Sequence, residues 1–129
     1  MHDRNNSAEL MRTISGVEDR KCMTCGKCSA SCPSYEEMDI KTHQFVSCLR
    51  NGDVAYMLAS NAIWKCLSCF VCIERCPRDV KPAQIIEAAR LMVIREQGKN
   101  YLTPDDVPGL LDPELPQQLL ASAFRKYAK

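Results

Sequence analysis

The sequence predicts an all-α protein built around a duplicated cysteine motif, and three observations support this prediction. Between the two copies of the motif, apolar residues recur at helical spacing, and no strand pair or hairpin turn is evident. The apolar fraction of 46% in 129 residues is normal for one globular domain with tails. Nine cysteines are an abnormal number for such a chain, so they need a chemical explanation.

Charge and hydropathy exclude several classes of function. The chain has 17 lysines and arginines against 16 aspartates and glutamates, so its formal charge is +1, and we expect no nucleic acid or anionic membrane surface as a partner. We expect no transmembrane segment of its own, and the polar amino-terminal stretch lacks the apolar core of a signal peptide. A cytoplasmic, reducing compartment is therefore expected, where metal ligation by cysteine is favoured over disulfides.

Eight of the nine cysteines form two copies of a CxxCxxCxxxCP pattern. Each cysteine of the second copy follows its counterpart by 44 residues, and a lysine precedes both copies, so the pattern is an internal repeat. This spacing is typical of the ligands of [4Fe–4S] clusters in two-cluster ferredoxins. The predicted ligands are Cys22, Cys25, Cys28 and Cys32 in the first copy and Cys66, Cys69, Cys72 and Cys76 in the second.

Each cluster is expected to take its fourth ligand from the other copy. Three cysteines at two-residue intervals lie along a tight turn that reaches three corners of a cubane, and in two-cluster ferredoxins the other motif supplies the fourth thiolate. The proline after each fourth cysteine then turns the chain away from the cluster. We assign one cluster to Cys22, Cys25, Cys28 and Cys76, and the other to Cys66, Cys69, Cys72 and Cys32.

Zinc and disulfides are the alternatives for these cysteines. Zinc takes four thiolates from paired CxxC units, whereas each copy here has three evenly spaced cysteines and a distant fourth. An odd number of cysteines cannot all form disulfides. The ninth, Cys48, has helical spacing with Phe45 and Leu49, so we expect it to pack as a small apolar side chain. His2 and His43 are interpreted as ordinary surface or helix residues.

The segments before and between the two motifs are expected to be mostly helical. We expect residues 1–6 to be disordered and Ser7 to cap a short helix that Gly16 ends. Between the motifs, apolar spacing and cap residues predict three helices. They run from Lys41 to Asn51, from Val54 to Ala59 with Asp53 as the cap, and from the cap residue Asn61 to Trp64.

The second motif is followed by the most regular helical pattern and then by a tail of different character. A helix with a continuous apolar stripe is predicted from Pro82 to Glu96. From Lys99 onward, four prolines interrupt the chain before a last helix that opens at Asp112. The face of this helix is formed by Leu119, Leu120, Phe124 and Tyr127. The tail either lies on a partner protein or folds back on its own domain.

Several stretches of the chain resemble the α-helical ferredoxin family. They are the doubled motif, the helical insert, the sequence IWKCLSC at 63–69, and RCPRDV at 75–80 followed by a helix that ends in REQG. Within this fold the chain looks most like the C subunit of heterodisulfide reductase, and related domains occur in succinate dehydrogenases and glycolate oxidases. The domain organisation that follows is a tail with a short helix at 1–17, a two-cluster domain at 18–98 and a partner-docking tail at 99–129.

The resemblance implies an electron-transfer subunit with two [4Fe–4S] clusters and no catalytic residues of its own. Many relatives carry CCG modules for a catalytic cluster on the same chain, but this sequence has no Cys-Cys pair. The family therefore implies two partners, which are the flavin-bearing A subunit of heterodisulfide reductase and its separate CCG-type catalytic B subunit. The alternatives are a free diffusing ferredoxin and a non-redox structural or sensing protein. The near-neutral charge and the proline-broken tail favour a role within the complex.

Residues interleaved with the cysteines predict different environments for the two clusters. Each oxidised cluster with four thiolates carries about −2, so two would take the formal charge from +1 to about −3. The residues between the cysteines are mainly polar in the first copy and mainly apolar in the second. Hydrogen-bond donors near the sulfur atoms stabilise the reduced state of a cluster. The higher potential is therefore predicted for the cluster held mainly by the first copy. Basic residues near the motifs, mostly expected to be solvated, are Lys21, Lys27, Lys65, Arg75, Arg78 and Lys81.

Overall fold

Helices are the only regular elements in residues 2–95 and 103–127, the part of the chain that the computed structural model describes. The all-α prediction is therefore confirmed. The elements are α1 His2–Ser15, a 3-10 turn Asp19–Lys21, α2 Lys27–Ala30, α3 Thr42–Asn51, α4 Val54–Ala59, α5 Ala62–Lys65, α6 Val71–Glu74, α7 Pro82–Ile94, α8 Val107–Leu110 and α9 Gln117–Tyr127. None of these helices is long and apolar enough to cross a membrane.

The chain divides into two compact units. The first, Met1–Ile94, holds α1 to α7 and both cysteine motifs, and the second, Arg95–Lys129, holds α8 and α9. The core of the first unit is formed mainly by α1, α3, α4 and α7, whose apolar faces pack together. Its largest buried side chains include Met11, Phe45, Leu49, Met57, Ile63, Ile85 and Ile86. Cys48 is half-buried against this core, as predicted, and burial raises the pKa of its thiol.

The amino-terminal helix is longer than the sequence indicated. The structure has α1 beginning at His2, so the expected disorder is wrong for residues 2–6, and Ser7 lies inside the helix instead of capping it. Met1 lies outside the described residues. Ala8 and Met11 are buried in the core, where α1 packs against α7. Burial of an apolar face stabilises a helix more than local propensity does, so this packing supports α1.

The helices between the motifs lie where the sequence predicted them, but their caps differ. Gly52 follows α3 with a φ of 78°, which a residue without Cβ adopts at little cost. Asp53 and Asn61 directly precede α4 and α5 but make no side-chain cap hydrogen bond, so the capping predicted for both is wrong. The amino end of α5 is held instead by Asp39, whose Oδ1 accepts a hydrogen bond of 2.8 Å from the Ala62 N–H.

The carboxyl-terminal helices also depart from the predicted boundaries. The structure ends α7 at Ile94, and the predicted last residue, Glu96, lies outside the described residues. The last helix begins at Gln117 and not at Asp112. Proline disfavours helical dihedrals in the residue before it, so Pro116 prevents a helix from running through Leu115. The side chain of Tyr127 lies outside the described residues.

The two cysteine motifs follow the same backbone path. The helices α2 and α6 begin and end 44 residues apart, as the cysteines do. Thr24 and Ser68 have φ values of 56° and 52°, and Gly26 and Phe70 have φ values of 76° and 60°. Phe70 therefore adopts a left-handed conformation that favours glycine and is strained for an aromatic residue. The repeat in sequence is thus a repeat in structure.

An ion pair ties α1 to the chain ahead of the first motif. Arg12 Nε and Nη2 donate to the two carboxylate oxygens of Asp19 at 3.0 Å each, and Nη2 also donates to the Leu49 carbonyl at 3.2 Å. The Asp19 side chain is buried, and the hydrogen bond from Arg12 lowers the pKa of its carboxyl group. This pair therefore links three elements of the first unit.

We expect Asp19→Asn to lower the free energy of unfolding by about 1–3 kcal/mol, because Arg12 loses a charged partner. A carboxyl group with a lowered folded-state pKa contributes stability above its unfolded pKa of about 3.9, and this contribution is lost as the pH falls through the folded value. Thermal midpoints should therefore differ by a constant amount from about pH 8 to pH 5 and converge only below about pH 4.

The matched control for this prediction is Glu18→Gln. Glu18 pairs with Lys21 at 3.0 Å on the exposed surface, where ion pairs contribute little to stability. Equal midpoint shifts for the two variants would contradict a specific role for Asp19.

Candidate iron–sulfur cluster sites

The eight motif cysteines surround two cavities in the first unit. The wall of the first cavity includes Cys22, Cys25, Cys28 and Cys76. The wall of the second includes Cys66, Cys69, Cys72 and Cys32. The structure thus brings together the same two groups of four cysteines that the sequence analysis assigned to two clusters.

Short helices carry the fourth cysteine of each motif to the opposite cavity. At the end of α2 the Cys32 N–H donates to the Ser29 carbonyl at 3.1 Å, and at the end of α6 the Cys76 N–H donates to the Ile73 carbonyl at 3.2 Å. Because α2 packs against α6, each helix ends beside the loop of the other motif. The loop contributes three thiols to its own cavity, and the helix end contributes one to the other.

Backbone donors reach sulfur atoms unequally in the two cavities. In the first, the Thr24 N–H lies 3.4 Å from Cys22 Sγ, and the Val80 N–H lies 3.4 Å from Cys76 Sγ. In the second, a backbone hydrogen bond from Ala83 reaches Cys72. Hydrogen bonds to sulfur stabilise negative charge there, and the first cavity has more of them among these residues.

Burial places two equivalent thiols in an environment that opposes ionisation. Burial raises the pKa of the Cys28 thiol, and burial together with the neighbouring thiols of Cys66, Cys28 and Cys69 raises the pKa of Cys72 to about 11. Buried thiolates need a compensating positive charge, which a bound metal centre supplies. Cys28 belongs to one cavity and Cys72 to the other, so their interaction also indicates that the cavities are close together.

The donor chemistry of both cavities fits a [4Fe–4S] cluster. Each offers four cysteine sulfurs, the usual ligand set of such a cluster. All nine cysteines are free of disulfides. Within residues 2–95 and 103–127, no group of three or more His, Cys, Asp or Glu side chains is arranged to share one metal ion.

His43 lies at the wall of the first cavity, a position that its place in the sequence does not reveal. It belongs to α3, and its Nδ1 is 2.7 Å from Ser29 Oγ, which also accepts a hydrogen bond of 3.0 Å from the His43 N–H. Ser29 is buried and directly follows Cys28. His43 therefore attaches α3 to α2, the helix that carries Cys28. The side chain of His2 lies outside the described residues.

The basic residues near the motifs are mostly engaged at the surface, as expected. Three of the lysines form exposed ion pairs, which leaves them less able to offset cluster charge. These pairs are Lys21 with Glu18 at 3.0 Å, Lys65 with Glu37 at 3.9 Å and Lys81 with Asp79 at 3.6 Å. Arg78 differs from them because it lines the first cavity.

Two further arginines contact the motif loops. Arg50 and Arg90 donate to backbone carbonyls of the first and second loop respectively. Neither residue is close to a cysteine motif in sequence, so motif spacing does not reveal them.

Comparison with known proteins agrees with this chemistry. The 4Fe-4S dicluster domain family matches residues 18–80, which include both motifs. The C subunit of the ferredoxin:CoB-CoM heterodisulfide reductase of Methanosarcina mazei is 31% identical over 101 residues, which cover 77% of this chain and 60% of the relative. Residues 18–80 thus match a two-cluster iron–sulfur domain, and the chain is similar to the iron–sulfur C subunits of heterodisulfide reductases.

Other C subunits are similar to this chain over shorter stretches. The iron-sulfur C subunit of the CoB--CoM heterodisulfide reductase of Methanopyrus kandleri is 36% identical over 93 residues, 69% of this chain and 48% of the relative. The C2 subunit of the H(2)/formate:CoB-CoM heterodisulfide,ferredoxin reductase of Methanococcus maripaludis is 41% identical over 71 residues, 55% of this chain and 38% of the relative. The chain therefore spans less than two thirds of the length of these relatives, which are subunits of oxidoreductase complexes.

Proposed function

We propose that this chain is a non-catalytic electron-transfer subunit that binds two [4Fe–4S] clusters and relays single electrons in a heterodisulfide-reductase-like complex. The observation that carries the proposal is the pair of four-cysteine cavities, each lined by three cysteines of one motif and one of the other. The proposed ligands are Cys22, Cys25, Cys28 and Cys76 for cluster 1 and Cys66, Cys69, Cys72 and Cys32 for cluster 2.

The clusters would supply the one-electron chemistry, and the chain would supply placement, burial and hydrogen bonding. Packing of α2 against α6 brings the two cavities together without any moving part. The N–H groups of Thr24 and Val80 would stabilise the thiolates of cluster 1. The cluster-binding domain would span 18–98, in a reducing cytoplasmic compartment that keeps the thiols available.

Exposed apolar side chains at both cavities support the proposal that the chain is a subunit of a protein complex. Leu67 is 68% exposed, and Phe70 near it is also exposed, although both line the second cavity. Met23 is in a similar position at the first cavity. Apolar side chains that lie together on a surface are typical of protein–protein contact sites. The proposed partners are a flavoprotein like the A subunit of heterodisulfide reductase and a CCG-type catalytic protein like its B subunit, with the tail at 99–129 docking on one of them.

Anaerobic affinity purification of the full chain from its own cells tests this proposal. Iron and acid-labile sulfide should each approach about eight per chain. A flavoprotein and a chain with tandem CCG motifs should co-purify in a fixed ratio. A fully loaded monomer that exchanges electrons with many soluble partners would indicate a diffusing ferredoxin. A protein that loses its clusters in mild oxidant and passes no electrons would indicate a structural or sensing role.

Cluster 1 is expected to have a higher midpoint potential than cluster 2. Its cavity receives two N–H groups, which reach Cys22 and Cys76, whereas the second cavity receives one, from Ala83 to Cys72. Donors to sulfur stabilise the reduced cluster, and a dry apolar wall destabilises it. A redox titration followed by electron paramagnetic resonance measures both potentials. Cys25→Ser and Cys69→Ser variants assign the signals, and the reverse order would contradict the prediction.

A further inference from the structure

Arg50 and Arg90 make equivalent contacts with the two motif loops. Arg50 Nη2 donates to the carbonyl oxygens of Asp19 and Cys22, both at 2.8 Å. Arg90 donates through Nε and Nη2 to the carbonyl oxygens of Ile63 and Cys66. Ile63 and Cys66 follow Asp19 and Cys22 by 44 residues, so both arginines bind the same two carbonyls of the repeat.

The arginines repeat at a different spacing from the cysteines. Arg50 and Arg90 are 40 residues apart, and the positions that correspond to them in the 44-residue register hold Ile94 and Val46. Each arginine is the ninth residue of its helix, α3 in the first half and α7 in the second, and α7 begins four residues sooner after its cysteine motif than α3 does. The two halves therefore make the same contact from equivalent helix positions, although the connections between motif and helix differ in length.

The two carbonyls lie where each cysteine loop begins. The first ligand of each motif is Cys22 or Cys66, and the second bound carbonyl belongs to the residue three positions earlier. A guanidinium presents several N–H donors in one rigid plane and stays charged at all relevant pH values. One arginine can therefore fix the first cysteine of a loop relative to the residue three positions before it. The same arginine brings a positive charge close to a cluster ligand.

The contact is more extensive at the second loop. The Arg90 side chain is 19% exposed, and its Nη1 also donates to Ser68 Oγ at 2.9 Å and to Glu87 Oε1 at 3.0 Å. The Ser68 hydroxyl donates to the same Glu87 oxygen, and Ser68 is one of the residues with positive φ. Arg50 is more exposed, and its hydrogen bonds within the described part of the chain go to the two carbonyls. The effect of removing the arginine should thus be larger at the second loop.

We propose that Arg50 and Arg90 are positioning residues, each holding the first ligand of one cluster in place: Arg50 for the cluster of Cys22 and Arg90 for the cluster of Cys66. This inference rests on the proposed function, because it assumes that the two cavities bind clusters. The hydrogen bonds of both arginines go to oxygen atoms, so each acts through the backbone of the loop and through its charge.

The test uses Arg90→Gln and Arg50→Gln in the full chain, purified anaerobically, with each variant as the control for the other. In Arg90→Gln we expect a chelator to remove cluster 2 about tenfold faster, the scale typical of residues that orient metal ligands, and to remove cluster 1 at the wild-type rate. Arg50→Gln should show the reverse selectivity with a smaller change. The midpoint potential of the affected cluster should also fall, because a positive charge near it is lost.

The variants Arg90→Lys and Arg50→Lys separate charge from geometry. Lysine keeps the charge without the planar set of donors, so cluster loss should still be faster while the potential stays near that of the wild type. Equal effects on both clusters, or no effect on either, would overturn the inference. If the glutamine variants do not fold, the rates of cluster loss in the lysine variants test the inference. Loss of both clusters at the same rate in a lysine variant would contradict it. A wild-type chain without clusters would instead overturn the proposed function.

Discussion

Cys76→Ser is expected to abolish most of cluster 1 while cluster 2 remains. Cys76 belongs to the second motif by sequence, but it lines the first cavity with Cys22, Cys25 and Cys28. Serine is a poor ligand for iron compared with a thiolate, so the cluster should lose a corner ligand and be unstable. Iron content should fall from about eight to about four per chain, and one of the two paramagnetic signals of the reduced protein should disappear.

Two further variants make this prediction specific to the crossed arrangement. Cys72→Ser, also in the second motif, should damage cluster 2 instead, because Cys72 lines the second cavity. Cys48→Ser should retain both clusters, since Cys48 packs against the core. If Cys76→Ser removed cluster 2, or if Cys76→Ser and Cys72→Ser damaged both clusters equally, the crossed assignment would be wrong.

Phe45→Ala is expected to destabilise the first unit by about 3–5 kcal/mol, the usual cost of removing a phenylalanine from a packed core. Phe45 is 0% exposed and is among the largest fully buried side chains. For a domain of this size, such a loss corresponds to a fall in the thermal midpoint of more than about 12 °C. Thermal unfolding of the cluster-loaded protein under anaerobic conditions measures this shift.

The matched control is Tyr56→Ala on α4. Tyr56 is an aromatic residue of similar size, but 62% of its surface is exposed, so its removal should change the midpoint very little. Because α3 places His43 and Val46 at the first cavity and Thr42 at the second, Phe45→Ala should lose cluster 1 more readily than cluster 2 on heating. Similar midpoints for the two variants would show that Phe45 does not anchor the core.

Much of the helical architecture could be predicted because its signals are local. Apolar spacing and a terminal glycine predicted α3, and the proline at the start of α7 predicted where that helix begins. The grouping of the cysteines was also predictable, since three ligands within seven residues leave one corner of a cubane for a distant chain segment. These inferences need only the spacing of residues along the chain.

Other features depend on contacts between distant residues. Packing of α1 against α7 buries Ala8 and Met11, and no pattern near these residues reveals the helix that they contact. The hydrogen bond at the amino end of α5 comes from Asp39, although Asn61 is the more typical cap position in sequence. Sequence patterns predict capping residues from positions close in the chain. A backbone N–H, however, can be bound by any acceptor that the fold brings within reach.

Arg50 and Arg90 show most clearly where the linear sequence is insufficient. The doubled cysteine pattern alone indicates the cofactor class, the eight candidate ligands and their exchange between loops, because cubane geometry restricts how a short turn can bind. The arginines that hold those loops are 40 residues apart, not 44, and lie at equivalent positions of the helices that follow each motif. Their role depends on the angle at which α3 and α7 pass the loops, and only the packing of the core sets that angle.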